Sequence, residues 1–329
     1  MTTPLTQPSR GSSGTQTVVV TARSFGSGDR DLHRDLEDAG LVVVRGPASH
    51  DPTALGPLLA DAVAWIAGTG PVTDAHLALA PHLTVLARYG VGVDAVDLEA
   101  AGRRGVAVTN TPGANSTAVA DHAMALLLSV LRAVPWGDRN VRAGDWSVRR
   151  ARELSTMTVG VVGFGRIGQL VAQRLRGFGS SIVVHDPYVS PEIITGAGGT
   201  AVTLAELAAQ CDAVTLHTPG GRQVIDESWI GSTMHQPIVV NTARADLVDE
   251  LAVADGLRRD MLNGYAADTL TSEGGHTGSP LLAQDLADRV VITPHTGAQT
   301  VEAVDRMGAA AVADVLAIVN GRPPRHLVL

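Results

Sequence analysis

The stretch Thr158-Val159-Gly160-Val161-Val162-Gly163-Phe164-Gly165-Arg166-Ile167-Gly168 joins a β-branched run directly to a Gly-x-Gly-x-x-Gly motif. The amphipathic segment Gln169 to Phe178 follows, so the pattern predicts a strand, a tight turn and a helix. In such a turn Gly163 permits the sharp bend, Gly165 lets the backbone approach a pyrophosphate, and Gly168 lets the helix pack on the strand. The N–H groups at the helix start, with the positive end of the helix dipole, favour a bound anion. The stretch therefore predicts a dinucleotide site, with a purely structural turn as the alternative.

A second predicted strand, Ser181-Ile182-Val183-Val184-His185, strengthens the prediction of a dinucleotide site. It ends at Asp186, which lies 18 residues after Gly168, where a carboxylate partner for a ribose 2′-hydroxyl is expected. Pro187 follows, with no arginine beside it. Because a carboxylate repels a 2′-phosphate, Asp186 favours NAD over NADP.

Composition limits the chemistry that the chain can perform. The 329 residues suggest two domains, and 45% hydrophobic residues with only 3% aromatics are typical of an Ala/Val/Leu-rich α/β protein. All 25 basic residues are arginine, which excludes Schiff-base chemistry, pyridoxal-phosphate anchoring and a P-loop lysine. Cys211 is the only cysteine, so the chain has no intrachain disulfide and no cysteine zinc site. We expect Cys211 to be a buried small hydrophobe in a reducing cytoplasm.

Charge and hydropathy bear on partners and location. The net charge of −8 disfavours a nucleic-acid partner, which would select a basic face. No apolar run reaches the roughly 18 residues that span a bilayer. Residues 1–16 form a polar Ser/Thr/Gly/Pro stretch that we expect to be a disordered leader and not a signal peptide. The expectation is a cytoplasmic protein without a metal, a membrane or a nucleic acid as partner.

Predicted strands and helices alternate along the whole chain, which indicates parallel sheets covered by helices on both faces. Asn110-Thr111-Pro112-Gly113 is the first candidate domain boundary, after which Asn115 or Ser116 can cap a helix that ends near Pro135. The predicted strands are 17–20, 41–44, 64–67, 83–87 and 106–109 before this boundary, and 158–162, 181–185, 213–216, 238–241, 264–267 and 290–293 after it. The predicted helices are 31–39, 53–62, 98–101, 117–133, 169–178 and 301–319.

A nucleotide domain in the middle of the chain leaves the two ends to build the other domain together. We therefore expect a substrate-binding domain from residues 17–113 plus 296–329, and a nucleotide-binding domain from residues 114–295. Ligands are then expected in a cleft between the two domains.

Three predicted strands end next to residues that could perform chemistry. His295 follows strand 290–293, Arg244 follows strand 238–241, and Glu273 comes after strand 264–267. Because the carboxyl ends of parallel strands share one edge, an arginine, an acid and a histidine are expected there beside the dinucleotide. His122 is expected to be a core or interface histidine, His185 and His217 to stand near the cofactor, and His276 to be a minor rival of His295. The remaining histidines lie in polar or surface-like contexts: His33, His50, His76, His82, His235 and His326.

Taken together, these motifs resemble the D-2-hydroxyacid dehydrogenases of the D-3-phosphoglycerate dehydrogenase type, over residues 18–328. The segments that carry the resemblance, besides the glycine motif with His185-Asp186-Pro187, are 87–94 (Ala-Arg-Tyr-Gly-Val-Gly-Val-Asp), 109–112, 118–122, 241–244, 248–250, Ala267-Asp268 and 293–297 (Thr-Pro-His-Thr-Gly). The resemblance implies two doubly wound parallel-sheet α/β domains. A Rossmann NAD-binding domain would be inserted into a flavodoxin-like substrate-binding domain.

The resemblance also implies a role for each site residue. His295 would exchange a proton with the C2 oxygen, Glu273 would pair with it, and Arg244 would hold the substrate carboxylate. The N–H groups of Val91 and Gly92 would bind the same carboxylate, with Arg88 and Arg132 as further anion contacts. The implied cofactor-binding residues are Gly163, Gly165, Arg166, Ile167, Gly168, Asp186, Thr218, Pro219, Thr242, Ala243, Asp268 and Gly297.

Four departures from the family pattern limit what can be said of the substrate. Members commonly have Glu where Asp121 stands, Arg-Gly where Arg244-Ala245 is followed by Asp246, and Glu-Pro where this chain has Glu273-Gly274. Phosphoglycerate-type members often have an arginine at the position of Gly68 that holds the distal phosphate. The pattern therefore does not favour 3-phosphoglycerate over 2-keto acids with other tails, anionic ones included.

The expected function is NAD-dependent hydride transfer at C2 of a 2-hydroxy or 2-keto acid, in a homodimer built across the helix predicted at 117–133. A formate dehydrogenase-like enzyme is disfavoured, because such members usually carry Gln where Glu273 stands. An NAD-sensing, corepressor-like binding protein of the same fold is the alternative from another class. A methyltransferase, whose glycine loop also follows a strand, is a third alternative. It is disfavoured because His295 and Arg244 would then have no role.

Overall fold

The computed structural model describes residues 16–272 and 278–329. The chain divides into two units, one running to Asn115 and completed by Gln299–Leu329, the other formed by Ser116–Ala298. The chain passes from the first unit to the second after Asn115 and returns after Ala298. The leader expected at 1–16 lies outside the described residues except for Gln16, which begins the first strand.

The first unit contains a five-stranded sheet in which all neighbouring strands are parallel. Its strand order is β2-β1-β3-β4-β5, the flavodoxin-like order, with the switch in direction between β1 and β3. Its elements are β1 (Gln16–Val20), α1 (Leu32–Glu37), β2 (Leu41–Arg45), α2 (Pro52–Leu59), β3 (Ala62–Ala67), α3 (Asp74–Ala78), β4 (Val85–Arg88), α4 (Leu98–Arg103), β5 (Ala107–Thr109) and α12 (Val301–Val319).

The second unit contains a seven-stranded parallel sheet ordered β12-β11-β10-β9-β6-β7-β8. Counted from β6, the first six strands follow the Rossmann order 3-2-1-4-5-6, with a seventh strand at the edge. Its elements are α5 (Ser116–Leu131), α6 (Val134–Arg142), β6 (Thr158–Val162), α7 (Arg166–Gly177), β7 (Ser181–His185), α8 (Pro191–Gly196), β8 (Thr200–Ala201), α9 (Leu204–Gln210), β9 (Ala213–Leu216), α10 (Glu227–Gly231), β10 (Ile238–Asn241), α11 (Glu250–Arg258), β11 (Gly264–Ala267) and β12 (Val290–Ile292). The predicted fold class, two doubly wound parallel-sheet domains, is confirmed.

The predicted helix 117–133 differs from the observed structure at its end. The helix α5 ends at Leu131, and Ala133 adopts a left-handed conformation with φ of +49°. Pro135 then occupies the first turn of α6, where a proline needs no hydrogen-bonded N–H. The proline therefore begins a second helix that the sequence pattern did not reveal.

Two histidines expected in surface-like contexts are buried, so that expectation was wrong. His50 is 1% exposed and His76 is 5% exposed. The imidazole of His50 bonds the hydroxyl of Thr21 at 2.7 Å and the carbonyl oxygen of Pro71 at 3.0 Å. Their sequence neighbours are polar, but the packing of the first unit encloses both rings.

Three further features of the described residues concern membranes, metals and thiols. No single described helix is long and apolar enough to cross a membrane. The helices α5 and α6 together have sufficient length and apolar composition, but they are bent by 58° relative to each other. Within 16–272 and 278–329 no three His, Cys, Asp or Glu side chains are grouped so that they could hold a metal ion. Cys211 is fully buried, and burial raises the pKa of its thiol to about 12.

Candidate functional site

The loop after β6 forms the tight turn that the glycine motif predicts. Gly163 has φ of +88°, a conformation that favours glycine, and a Cβ there would lie 2.7 Å from backbone atoms of His217 and Thr218. A Cβ on Gly168 would overlap the carbonyl oxygen of Gly163. The fold itself therefore requires both glycines, whatever ligand the loop binds.

Gly165 has a different environment, which points to a ligand. A Cβ placed on this residue meets nothing within 4 Å, and Gly165 and Arg166 are both exposed. Gly165 is the N-cap of α7, and no side chain caps the amides of the first turn. Open space in front of a helix N-terminus fits a pyrophosphate, so this cradle suits a dinucleotide.

Asp186 links the end of β7 to the same loop. One carboxylate oxygen accepts a hydrogen bond from the amide of Phe164 at 2.7 Å, and the other accepts from the amide of Tyr188 at 2.8 Å. Each oxygen of a carboxylate has a second lone pair, so both can still accept from a ribose hydroxyl.

Two buried polar atoms belong to residues that follow neighbouring strands at the carboxyl edge of the sheet. They are Nδ1 of His217 and the hydroxyl oxygen of Thr242, and neither has a hydrogen-bond partner among the described residues. The two residues are neighbours because Leu216 of β9 pairs with Asn241 of β10. Buried polar groups without a partner are rare and favour a missing ligand. Burial lowers the pKa of His217 to about 3, so its imidazole stays neutral.

The turn that carries Arg244 is built by the buried Asn241. The side-chain oxygen of Asn241 accepts from the amide of Ala243 at 3.0 Å, and its Nδ2 donates to the carbonyl oxygen of Arg244 at 2.7 Å. Asp246, one of the departures from the family pattern, accepts from the amide of Gly221 at 2.6 Å. Asp246 therefore fixes the loop that follows β9 and contains Thr218 and Pro219.

His295 stands on the loop after β12 in a left-handed conformation, with φ of +54°. Its amide donates to the carbonyl oxygens of Asp268 and Thr293, both at 3.0 Å. The buried carboxylate of Asp268 accepts from the hydroxyl of Thr293 at 2.5 Å, the amide of Thr296 at 2.8 Å and the amide of Gly297 at 2.7 Å. A left-handed non-glycine residue costs about 1–3 kcal/mol and persists only where the surroundings enforce it. Asp268 provides that enforcement.

The protonation of Asp268 depends on the same contacts. Burial disfavours its charged form, but the hydrogen bonds from His122, Thr293, Thr296 and Gly297 outweigh burial and hold its pKa below the usual value. The carboxylate therefore stays ionised at neutral pH and keeps its loop contacts.

His122 is a site residue that the sequence analysis missed. Its Nε2 lies 2.8 Å from the hydroxyl oxygen of Thr293 and 3.2 Å from Oδ1 of Asp268. A histidine on an Ala/Leu-rich helix carries no sign of this contact, because Asp268 and Thr293 lie far away in sequence. The available clues were Asp268, directly after a predicted strand, and the segment 118–122, both part of the resemblance.

Glu273, expected to pair with His295, and His276 lie outside the described residues. Thr271, which precedes that segment, is held in place, because its amide donates to the carboxylate of Glu250 at 2.7 Å. Glu250 is buried and starts α11.

The predicted substrate-binding residues Arg88, Val91 and Gly92 belong to the first unit. The carbonyl oxygen of Val91 accepts from Asn110 at 2.8 Å, while the amides of Val91 and Gly92 donate to no group within the described residues. Arg88 is buried and donates to the carbonyl oxygens of Ala67 and Gly68. Arg132 is exposed and follows α5 in the second unit. At one sheet edge the second unit gathers the Gly163–Gly168 loop, Asp186, Thr242, Arg244, Asp268 and His295.

Comparison with known proteins agrees with this geometry. Residues 124–297, just over half of the chain, match the model of the NAD-binding domain of D-isomer specific 2-hydroxyacid dehydrogenases. The D-3-phosphoglycerate dehydrogenase of Mycobacterium tuberculosis is 42% identical over 273 residues, covering 81% of this chain and 51% of the relative. A protein of Thermus thermophilus superposes with a TM-score of 0.86 at 34% identity, covering 95% of this chain and all of the other. The D-lactate dehydrogenase of Aquifex aeolicus, solved with NAD and lactic acid, has a TM-score of 0.83 at 25% identity, over 95% of this chain and 99% of that one.

The chain belongs to the D-isomer specific 2-hydroxyacid dehydrogenase family, and its second unit is the family's NAD-binding domain. The resemblance drawn from the motifs and the cofactor NAD are thereby confirmed. The chain spans about half the length of the D-3-phosphoglycerate dehydrogenase that it matches in Mycobacterium tuberculosis.

Replacing Gly165 by valine should weaken NADH binding without loss of stability. The side chain would enter open space, and φ of −71° with ψ of −162° suits a β-branched residue. We expect the dissociation constant, measured by NADH fluorescence, to rise about tenfold or more, which is at least 1.4 kcal/mol. Gly168→Ala is the contrasting variant and should lower the unfolding midpoint. Wild-type NADH affinity in Gly165→Val would contradict the assigned phosphate cradle.

Proposed function

We propose that the protein is an NAD(H)-dependent D-2-hydroxyacid dehydrogenase, which reduces a 2-keto acid at C2 or oxidises the corresponding 2-hydroxy acid. The observation that carries the proposal is the strained His295, which the buried carboxylate of Asp268 holds at the carboxyl edge of an NAD-binding sheet. Strained backbone of this kind clusters at catalytic sites.

The proposed reaction needs three contributions. A nicotinamide held by the glycine loop and Asp186 would supply the hydride for C2 in the direction of reduction. The imidazole of His295 gives a proton to the C2 oxygen, so that the carbonyl becomes a hydroxyl and a 2-hydroxy acid with NAD⁺ results. Arg244, on the turn that Asn241 fixes, holds the substrate carboxylate and stabilises the negative charge that develops on the oxygen.

Two further parts of the proposal come from the sequence resemblance. Glu273 would hold His295 in its proton-donating form by a charge-assisted contact. The amides of Val91 and Gly92 would bind the substrate carboxylate, a role supported by their lack of other acceptors among the described residues.

The substrate is proposed as a class and not as one compound. Relatives named D-3-phosphoglycerate dehydrogenase support a 2-keto acid with a phosphate tail. Against this, position 68 is glycine, where a Cβ would lie 2.9 Å from the carbonyl oxygen of Thr21. Both tailed and simple 2-keto acids therefore belong in the test.

The proposed function predicts NADH oxidation by one or more 2-keto acids. Absorbance should be followed with pyruvate, hydroxypyruvate, 3-phosphohydroxypyruvate and phosphonopyruvate. Loss of the proton donor in His295→Asn should lower kcat by about 10²- to 10⁴-fold. His235→Asn, at a half-exposed position of the same unit, is the matched control and should retain activity. NADH binding without turnover of any acid would favour the NAD-sensing alternative, and full activity in His295→Asn would contradict the proton relay.

The pH profile tests the direction of proton transfer in the same assay. Reduction consumes a proton from the donor and oxidation returns one, so kcat/KM for the keto acid should fall as pH rises, and the oxidation rate should rise. Burial lowers the pKa of His217 to about 3, so its imidazole stays neutral and causes no change in rate between about pH 5 and 9.

We further propose a homodimer, but on a different surface from the helix expected at 117–133. The apolar residues of α5 are largely buried within its own unit. In contrast, α6 has no buried residue, and the segment after it exposes Trp146 at 78% and Val148 at 95%. Two large apolar side chains exposed two residues apart favour a protein partner.

The double variant Trp146→Glu/Val148→Glu should therefore be monomeric. Light scattering after size exclusion should give twice 34.0 kDa for the wild type and 34.0 kDa for the variant. Met234→Glu, an equally exposed apolar position, should stay dimeric. A monomeric wild type, or a dimeric double variant, would contradict this interface.

A further inference from the structure

His122 connects the helix α5 with the loop that carries His295. Its ring is 20% exposed, and Nε2 points to the hydroxyl of Thr293 and to the carboxylate of Asp268. These are the contacts of a side chain built into the site, although His122 itself lies on a helix away from the glycine loop.

The direction of each hydrogen bond follows from chemistry. The hydroxyl of Thr293 has one proton, and the 2.5 Å distance shows that it donates to Oδ1 of Asp268. Its oxygen must then accept from His122, and the carboxylate can only accept. The proton on Nε2 of His122 is therefore assigned by its partners, and His122 is the donor in both contacts.

The ring of His122 also supports the loop by packing. A Cβ on Gly297 would lie 3.0 Å from Oδ2 of Asp268, 3.5 Å from Cδ2 of His122 and 3.6 Å from Cγ2 of Val119. The loop backbone at Gly297 thus rests on the face of α5 formed by Val119 and His122. An ordinary side chain at position 297 would push the loop away from Asp268.

The helix α5 is itself paired with α7, the helix that follows the dinucleotide loop. Asp121, the neighbour of His122 and a departure from the family pattern, pairs with Arg174 of α7, with Nε 2.6 Å from Oδ1. The same helix α7 begins next to Gly165, its N-cap. Two adjacent residues of α5 therefore join the helix of the NAD loop to the loop of His295.

We propose that His122 is a positioning residue for the proton relay: its Nε2–H anchors Thr293 and Asp268 to α5 and so keeps His295 in the left-handed conformation. The inference rests on the proposed function for its catalytic consequence, and on the hydrogen bonds alone for its structural one. His122 does not exchange the substrate proton, because its Nε2–H is committed to Thr293 and Asp268.

Two substitutions separate the hydrogen bond from the packing. His122→Gln keeps an N–H donor at a similar reach and loses the ring, whereas His122→Phe keeps a ring against Gly297 and loses the donor. We expect kcat to fall about tenfold or more in His122→Phe, because small misplacement of a reacting group is costly. His122→Gln should stay within about threefold of wild type, and the KM for NADH should change little in both, since the phosphates bind at the loop after β6. His235→Phe is the control histidine.

Amide exchange gives a readout that needs no substrate. The amides of Thr296 and Gly297 donate to Asp268, so their hydrogen exchange should be faster in His122→Phe than in the wild type and in His122→Gln. Unchanged exchange in His122→Phe, or loss of kcat in His122→Gln with retention in His122→Phe, would overturn the inference. A wild type that reduces no 2-keto acid contradicts the proposed function, while the exchange rates still decide whether His122 anchors the loop.

Discussion

The carboxylate of Asp268 is the constraint on which the candidate site depends. Four groups of the Thr293–Gly297 loop donate to it, and His122 adds a fifth contact from a helix. A buried carboxylate is unfavourable unless it is paired with donors, and a left-handed histidine is unfavourable unless it is held. The loop groups on either side of His295 donate to Asp268, so the same hydrogen bonds stabilise the buried carboxylate and the left-handed backbone of His295. The site thus links a charge, a backbone conformation and the proposed proton donor.

The glycine motif shows how one short segment serves both folding and binding. Gly163 and Gly168 are required by close contacts inside the fold, whereas Gly165 faces open space. A motif made only of the first kind would be a structural turn. The open position, together with the unsatisfied atoms of His217 and Thr242, indicates a ligand at the same edge. This difference is physical and does not depend on the resemblance to relatives.

Local patterns predicted the regular elements well and the tertiary contacts poorly. The strands β6, β7, β9, β10 and β11 have the predicted bounds, because β-branched and apolar runs between turn residues define buried parallel strands. His50 and His76 were misjudged, and the contacts of His122 were not foreseen, since these environments are made by residues distant in sequence. The helix α6 was missed because Pro135 ends one helical pattern and also begins another. Glu273 remains a prediction, since it lies outside the described residues.

The central claim is that this site transfers a hydride to C2 of a 2-keto acid. The most direct measurement is mass spectrometry of the product formed from NADH that carries deuterium at both C4 positions, with chiral separation of the product. The account predicts a D-2-hydroxy acid with one deuterium on C2 in every molecule, because the hydride passes directly and only the hydroxyl proton comes from His295. A product without deuterium on C2, or with deuterium in the L-isomer, would contradict it.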